Sequence, residues 1–154
     1  MQPAPWQLRL EVTKDLRMRV TLRNASRVEQ PYLLDARLQP VSLEIMEGAR
    51  AIEFEDGRAI AKYDATIYRD SYGVLKAGGE SGALDGVFAK EANGYAVRFG
   101  MYSAASLKAG AYSVRAVWTS SHDDCIDAET RRLGTVSGVW KGRVESNSVE
   151  VRLP

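Results

Sequence analysis

Apolar and polar residues alternate along several segments of this chain, and such alternation is typical of β-strands with one buried and one solvent-facing side. The first clear cases are Leu8–Val12 and Leu16–Leu22, and Val41–Ile45 repeats the pattern. Tyr112–Trp118 and Val149–Leu153 repeat it near the carboxyl end. We therefore expect a chain built almost entirely of β-strands.

Turn-forming residues lie between these segments and indicate how the strands are joined. Lys14–Asp15 predicts a tight link between the first two strands, and Glu47–Gly48 predicts a turn after the third. Asp56–Gly57 lies between the apolar-alternating runs Ile52–Glu55 and Ile60–Tyr63. Because aspartate and glycine both tolerate positive φ, this dipeptide predicts a β-hairpin.

The pattern is weaker in the middle of the chain. Ala83–Phe88 and Tyr95–Phe99 are expected to be further strands, and Ala104–Leu107 is expected to form one helical turn. Ser120–Gly138 is predicted to be a loop, and loops of this length are usually functional or mobile. Since no linker rich in Pro, Gly or Ser divides the chain, we expect a single domain over residues 1–154.

The order Leu107-x-x-Gly110-x-Tyr112 narrows the fold class. Gly110 can supply the unusual backbone angles needed where a chain passes from one sheet to another. Tyr112 can return its hydroxyl to an upstream backbone group, which is the tyrosine corner of immunoglobulin-like domains. The sequence therefore predicts an all-β, immunoglobulin-like antiparallel β-sandwich with long loops.

Composition narrows the range of partners. Lysine and arginine total 21 and aspartate and glutamate total 20, so no net field attracts nucleic acid or an anionic membrane. Cys125 is the only cysteine, which excludes an internal disulfide and a Cys-rich zinc site. No apolar run approaches the ~20 residues that span a bilayer. We expect no cofactor, no nucleic acid and no membrane span.

Four segments together resemble the immunoglobulin-like β-sandwich domains of exported bacterial proteins. They are Val20–Asn24, Leu75–Ser81, Leu107–Tyr112 and Trp140–Asn147. The layout is also similar to the non-catalytic domain that precedes some secreted metalloproteases, and more distantly to small bacterial protease inhibitors of sandwich fold. A metalloprotease needs a His-Glu-x-x-His helix, and this chain has a single histidine. The resemblance therefore implies an accessory domain. It favours a periplasmic or secreted location, and the compartment stays open.

The predicted Ser120–Gly138 loop carries most of the candidate chemistry. His122 and Cys125 could form a nucleophile with its base, but such a pair needs a third orienting group and an oxyanion site, so we reject catalysis by it. Calcium favours six to eight oxygen ligands from flexible loops. Four carboxylates could supply some of them: Asp123, Asp124, Asp127 and Glu129. The EF-hand spacing is absent, and the favoured interpretation is a solvated acidic loop without a metal.

Three tryptophans, Trp6, Trp118 and Trp140, could form a platform for a carbohydrate or a peptide. Trp118 and Trp140 fall where the alternation faces inward, so both are expected to pack in the core. Trp6 precedes the first strand, and it suits either an edge cover or an exposed contact.

These observations predict a non-catalytic binding or accessory module whose most favoured partner is a protein. Recognition is expected at the loops that a sandwich displays at its ends. The candidate binding residues are His122, Asp123, Asp124, Asp127, Arg131 and Arg132. The alternative is a small protease inhibitor of β-sandwich fold, and an enzyme that uses only carboxylates is the least favoured class because few titratable groups converge.

Overall fold

The structure is a computed structural model, and it describes residues 3–35, 41–56, 66–81, 84–100 and 103–154. Within these ranges the chain is all-β, with antiparallel sheets, no α-helix and one 3-10 turn over Arg69–Ser71. The prediction of an all-β chain is confirmed. None of the described segments forms a helix of the length and apolarity that crossing a membrane requires.

The strands over Trp6–Val12, Arg17–Asn24 and Val41–Glu47 alternate in burial as their sequences predict. In chain order the strands are β1 (Trp6–Val12), β2 (Arg17–Asn24), β3 (Gln30–Tyr32), β4 (Val41–Glu47), β5 (Arg50–Ala51), β6 (Glu55–Asp56), β7 (Gly73–Leu75), β8 (Leu84–Glu91), β9 (Gly94–Phe99), β10 (Ser103–Leu107), β11 (Gly110–Ser120), β12 (Asp124–Ile126), β13 (Leu133–Thr135), β14 (Gly142–Glu145) and β15 (Val149–Leu153).

Two larger sheets and two small ribbons arrange these strands. The six-stranded sheet has the order β1-β2-β8-β9-β10-β6, and the five-stranded sheet has the order β14-β11-β4-β5 with β15 also paired to β11. β3 pairs with β7, and β12 pairs with β13, as separate two-stranded sheets. Both larger sheets contribute side chains to one hydrophobic core.

The aromatic centre of this core joins the two sheets. Trp118 on β11 is fully buried, and its ring meets Trp6 of β1 edge to face at 6.0 Å between centroids. Trp6 also meets Tyr32 at 5.4 Å and is only 3% exposed. The expectation that Trp6 could be an exposed contact is therefore wrong, because its ring fills the space between β1, β3 and β11.

β14 and β15 lie one after the other along the same edge of β11, with a break at residues 146–148. In the break, Ser146 donates its N–H to the Ala116 carbonyl and accepts the Ala116 N–H on its hydroxyl, both at 2.8 Å. The Asn147 amide reaches Leu10 of β1: Oδ1 accepts the Leu10 N–H and Nδ2 donates to the Leu10 carbonyl, both at 3.0 Å. We call this pair of bonds the Asn147 clamp; it joins the two larger sheets.

The predicted tyrosine corner is present. Tyr112 is buried, and its hydroxyl donates to the Lys108 carbonyl at 2.7 Å. Gly110 has φ +153°, a conformation that side-chain-bearing residues rarely adopt. The corner fixes the start of β11, the strand between β4 and the β14–β15 edge.

Asn24 ends β2 as a fully buried and fully hydrogen-bonded side chain. Its Nδ2 donates to the carbonyls of Val28 at 2.8 Å and Leu75 at 2.9 Å, and its Oδ1 accepts the N–H of Ser26 at 2.9 Å. Ser81 continues the link, because its N–H donates to the Leu22 carbonyl at 2.8 Å. Two of the four segments that carry the resemblance are therefore joined in space.

The outer face of the five-stranded sheet carries a network of ion pairs. Arg115 contacts Glu44 at 2.5 Å and Glu145 at 3.0 Å, and Arg143 contacts the same two carboxylates at 2.8 and 3.1 Å. Burial works against ionisation of Glu44, but hydrogen bonds from the two arginines outweigh it and lower the pKa of Glu44. The positive charges of the two arginines are therefore balanced by two carboxylates of the same sheet.

In the middle of the chain, one predicted element has a different structure and another lies outside the described residues. Ala104–Leu107 is not a helical turn, because it lies in β10 and pairs with β9 from Arg98 to Tyr95. Alanine favours a helix, but the buried Leu107 and the β9 ladder decide the conformation. The hairpin predicted at Asp56–Gly57 falls on residues 57–65, which lie outside the described residues.

Candidate functional site

The Ser120–Gly138 segment is not the open loop that the sequence predicts. It folds into a ribbon in which Asp124, Cys125 and Ile126 pair with Thr135, Gly134 and Leu133. The strands are only three residues long, so their alternation is too short to stand out in the sequence. We call residues 124–135 the β12–β13 ribbon.

Asp127 organises the turn at the tip of the ribbon. Its Oδ1 accepts the N–H groups of Glu129 and Thr130, each at 2.9 Å, and its carbonyl accepts the Arg131 N–H at 2.9 Å. The N–H groups of Thr130 and then Glu129 lower the pKa of Asp127. Arg131 has φ +60°, an uncommon conformation for a residue with a side chain, so the turn needs these bonds to hold its shape.

The other edge of the ribbon is tied to residues 67–72. Ile126 donates its N–H to the Ile67 carbonyl at 2.8 Å and forms a parallel bridge with Tyr68. The Tyr72 hydroxyl donates to the Asp124 carbonyl at 2.8 Å. Burial, followed by the charges of Asp124, Asp123 and Cys125, raises the pKa of Tyr72 to about 12. Tyr72 therefore stays a neutral hydrogen-bond donor at ordinary pH.

Cys125 and Gly134 face the same anchoring segment. Cys125 is 1% exposed, so its thiol is shielded from solvent. A Cβ on Gly134 would lie 3.2 Å from Nη2 of Arg69 and 3.7 Å from the Cys125 sulfur. The absence of a side chain at Gly134 thus lets the Arg69 guanidinium lie against the ribbon.

The base of the ribbon is closed by charged and polar contacts. Asp123 pairs with Lys141 at 3.2 Å, and its carbonyl accepts the Val136 N–H at 2.7 Å. His122 Nδ1 lies 3.4 Å from Asp124 Oδ1. These contacts hold the two ends of the segment together where it leaves β11 and approaches β14.

The six residues predicted as a binding site therefore separate into two groups. His122, Asp123 and Asp124 lie at the base, and Asp127 holds the turn through backbone bonds. Arg131 and Arg132 are exposed at the tip, and no bond from either side chain is found within the described parts of the chain. Across the described residues, no group of three or more His, Cys, Asp or Glu is placed to hold a metal ion.

Leu133 is the residue at this site that sequence analysis missed. It is 81% exposed, more than any other large apolar side chain that the structure describes. The signal in the sequence was its position, because Leu133 is a lone large apolar residue directly after Arg131 and Arg132. Tyr72 and Arg69 gave no such signal, since only the fold brings them to the ribbon.

Leu133 lies on the edge of β13 that faces away from β12, and no other strand in the described part of the chain pairs with that edge. Two backbone bonds next to the paired strands show which side of β13 faces β12. The Arg132 carbonyl accepts the Asp127 N–H, and the Val136 N–H donates to the Asp123 carbonyl. Because neighbouring residues of a strand direct their backbone groups to opposite edges, Leu133 and Thr135 direct theirs away from β12. The ribbon therefore offers a short strand edge beside an exposed leucine.

Comparison with known proteins does not assign the chain to a family. No protein-family model matches the chain, and no curated protein shows significant similarity to it.

Proposed function

We propose that the chain is a single immunoglobulin-like β-sandwich domain that acts as a non-catalytic, protein-binding module. The fold proposal rests on the tyrosine corner, on one core shared by two sheets, and on the position of β11. β11 lies between β4 and the β14–β15 edge, as strand F lies between C and G in an immunoglobulin domain. β9 and β10 are additional to that plan.

The observation that carries the functional proposal is the exposed Leu133 on a ribbon that bonds to residues 67 and 72 hold in place. An apolar side chain held 81% exposed by a fixed backbone loses little conformational freedom when a partner covers it. Fully burying a leucine contributes about 1.5–3 kcal/mol. Arg131 and Arg132 flank it with charges that suit the rim of a protein interface.

The open edge of β13 gives the partner a second means of attachment. An extended segment can add to a strand edge through main-chain hydrogen bonds, while neighbouring side chains supply selectivity. Leu133 and Thr135 offer those bonds, and the Leu133 side chain offers the apolar contact. The tie of β12 to Ile67 leaves β13 as the available side of the ribbon.

The test is affinity capture from protein extract of the source organism, comparing the intact chain with Leu133→Asp. We expect one saturable protein partner whose affinity for the variant is at least about tenfold weaker, which corresponds to 1.4 kcal/mol. Val28→Asp is the matched control, because Val28 is a 61% exposed apolar residue in the connection between β2 and β3, outside residues 124–135. Its partner recovery should equal that of the intact chain.

Three results would contradict the proposal. Full recovery of the partner by Leu133→Asp removes the ribbon as the contact, and equal loss with Val28→Asp shows a general surface effect. Turnover of peptides or glycans by the purified chain shows an enzyme instead. Circular dichroism of both variants confirms that each is folded.

The second candidate is a small protease inhibitor, and one observation favours it. Arg131 and Arg132 are exposed on a turn that Asp127 holds in a fixed conformation, and a fixed exposed turn can enter a protease cleft. Inhibition of a protease panel at nanomolar concentration that Arg131→Ala or Arg132→Ala abolishes would establish this function. An absence of inhibition leaves the binding module as the proposal.

A further inference from the structure

The outer face of the six-stranded sheet holds a groove that is separate from the β12–β13 ribbon. In the strand register Arg17 of β2 lies opposite Val87 of β8, and Val87 lies opposite Arg98 of β9. Residues directly opposite each other in antiparallel strands share a face of the sheet. Two arginines therefore stand on either side of a half-buried valine, in an open groove of about 610 Å³.

The other arginines near this groove are already paired with carboxylates. Arg9 contacts Glu11 at 2.7 Å, and Arg19 contacts Asp85 at 3.8 Å. Arg17 contacts one carboxylate, with its Nε 3.2 Å from Oδ2 of Asp15.

Arg98 differs from all of these residues. It is exposed, and none of the side chains that the structure describes forms an ion pair with it. The arginines of the other large sheet contrast with it, since Arg115 and Arg143 each contact two carboxylates. Among the described side chains, the groove thus presents one guanidinium without an ion pair and one with a single ion pair, on either side of the apolar Val87.

We infer that this groove binds an acidic segment of a protein, with one carboxylate on Arg98, another on Arg17 and an apolar side chain on Val87. Guanidinium groups present donors that match carboxylate oxygens. Adjacent strands lie about 4.8 Å apart, so Arg17 and Arg98 have Cα atoms about 10 Å apart. Arginine side chains that splay outward widen this span.

An extended peptide fits that span. Alternate residues of a strand face the same side, and four residues cover about 13 Å. A segment of the form acid-x-apolar-x-acid therefore lays all three of its key side chains on the row Arg17, Val87 and Arg98. The inference is independent of the ribbon, and it assigns a site on a different face.

A protein segment suits the groove better than a sulfated polysaccharide or a nucleic acid. Glu11 and Asp85 line the same groove as the arginines. Their carboxylates repel a polyanion with closely spaced charges, and the apolar Val87 gives such a ligand nothing to bind. A peptide with two separated acids and an apolar residue between them avoids the repulsion and uses the valine.

The experiment is an NMR titration of the intact chain with the end-blocked peptide Glu-Ser-Val-Ser-Glu. We expect saturable shifts on β2, β8 and β9 that weaken as salt is raised, because exposed charge pairs are screened. Arg98→Gln should weaken binding about fivefold, the size of one exposed ion pair. The peptide Gln-Ser-Val-Ser-Gln has the same shape without the charges. It should bind the unmodified chain at least about fivefold more weakly than Glu-Ser-Val-Ser-Glu does.

Arg152→Gln is the matched control, because Arg152 is an exposed arginine on the five-stranded sheet. Its peptide affinity should equal that of the unmodified chain. The inference is overturned by an absence of saturable shifts, by unchanged affinity in Arg98→Gln, or by an equal loss in Arg152→Gln. Tighter binding of a sulfated oligosaccharide that displaces the peptide would overturn it in favour of a polysaccharide site.

Discussion

Replacing Asn147 with alanine should destabilise the protein by about 2 kcal/mol. The change removes both bonds of the Asn147 clamp, each 3.0 Å long, and leaves the Leu10 N–H and carbonyl without their partner. One neutral hydrogen bond contributes about 1 kcal/mol net, so two contribute about 2. Asn147 is itself exposed, and water that reaches Leu10 keeps the loss from growing larger.

The assay is reversible thermal and urea denaturation of the variant beside the unmodified chain. For a protein of this size, 2 kcal/mol lowers the thermal midpoint by about 4–8 °C. The control is Asn93→Ala, because Asn93 is an exposed asparagine in the turn between β8 and β9. An exposed substitution of that kind should change stability by no more than about 0.5 kcal/mol.

Asn147→Asp tests the two bonds of the clamp separately, because it removes the Nδ2 donor, keeps the Oδ1 acceptor and hardly changes the shape of the side chain. The carboxylate can still accept the Leu10 N–H, but its second oxygen faces the Leu10 carbonyl instead of donating to it. Ionisation is therefore disfavoured in the folded state, and the new carboxyl should have a raised pKa. The stability of this variant should be highest below about pH 3.9 and should fall as pH rises through the folded-state value.

Two results would refute the reasoning about the clamp. A thermal midpoint for Asn147→Ala equal to that of the unmodified chain would show that these bonds contribute nothing to stability. Asn147→Asp as stable as the unmodified chain at neutral pH would show that the bond to the Leu10 carbonyl is dispensable.

Three further predictions follow from single side chains. Tyr112→Phe should lower the urea midpoint by an amount equivalent to about 1 kcal/mol, because the buried hydroxyl loses the Lys108 carbonyl; an unchanged midpoint would contradict this role. The pKa of Tyr72 is raised to about 12 in the folded protein. The contribution of Tyr72 to the free energy of unfolding is therefore complete below about pH 10 and is lost as pH rises toward 12. Between pH 10 and 12, the thermal midpoint of Tyr72→Phe should fall less steeply than that of the unmodified chain. An equally steep fall for both proteins would contradict this role of the Tyr72 hydroxyl. Gly142→Ala should destabilise by about 1–3 kcal/mol, since the new methyl group would overlap the Trp140 ring; calorimetry showing no loss would mean that the ring moves freely.

Alternation predicted the long strands well because each has one face on the core. Met18, Val20 and Leu22 are buried on β2, and Tyr112 and Val114 are buried on β11, as period-2 patterning requires. The corner at Tyr112 could also be predicted, since its hydrogen bond spans only four residues. Local sequence determines these features.

The remaining features depend on contacts that a local pattern does not contain. The ribbon takes its place from Ile67 and Tyr72, which are more than fifty residues from their partners Ile126 and Asp124 in the chain. That Arg98 has no carboxylate partner among the described side chains likewise depends on which residues the neighbouring strands bring close. Such information comes only from the tertiary fold.

The Asn147 clamp also bears on how the chain reaches its folded state. Leu10 and Asn147 are 137 residues apart, so their bonds close a loop of almost the whole chain. Contacts of high sequence separation require loop closure before they contribute to stability, and chains that depend on them fold slowly. During synthesis, the edge of β1 must wait for the last strands to emerge. We expect that until then this edge is open to pairing with other chains, so folding yield should fall as protein concentration rises.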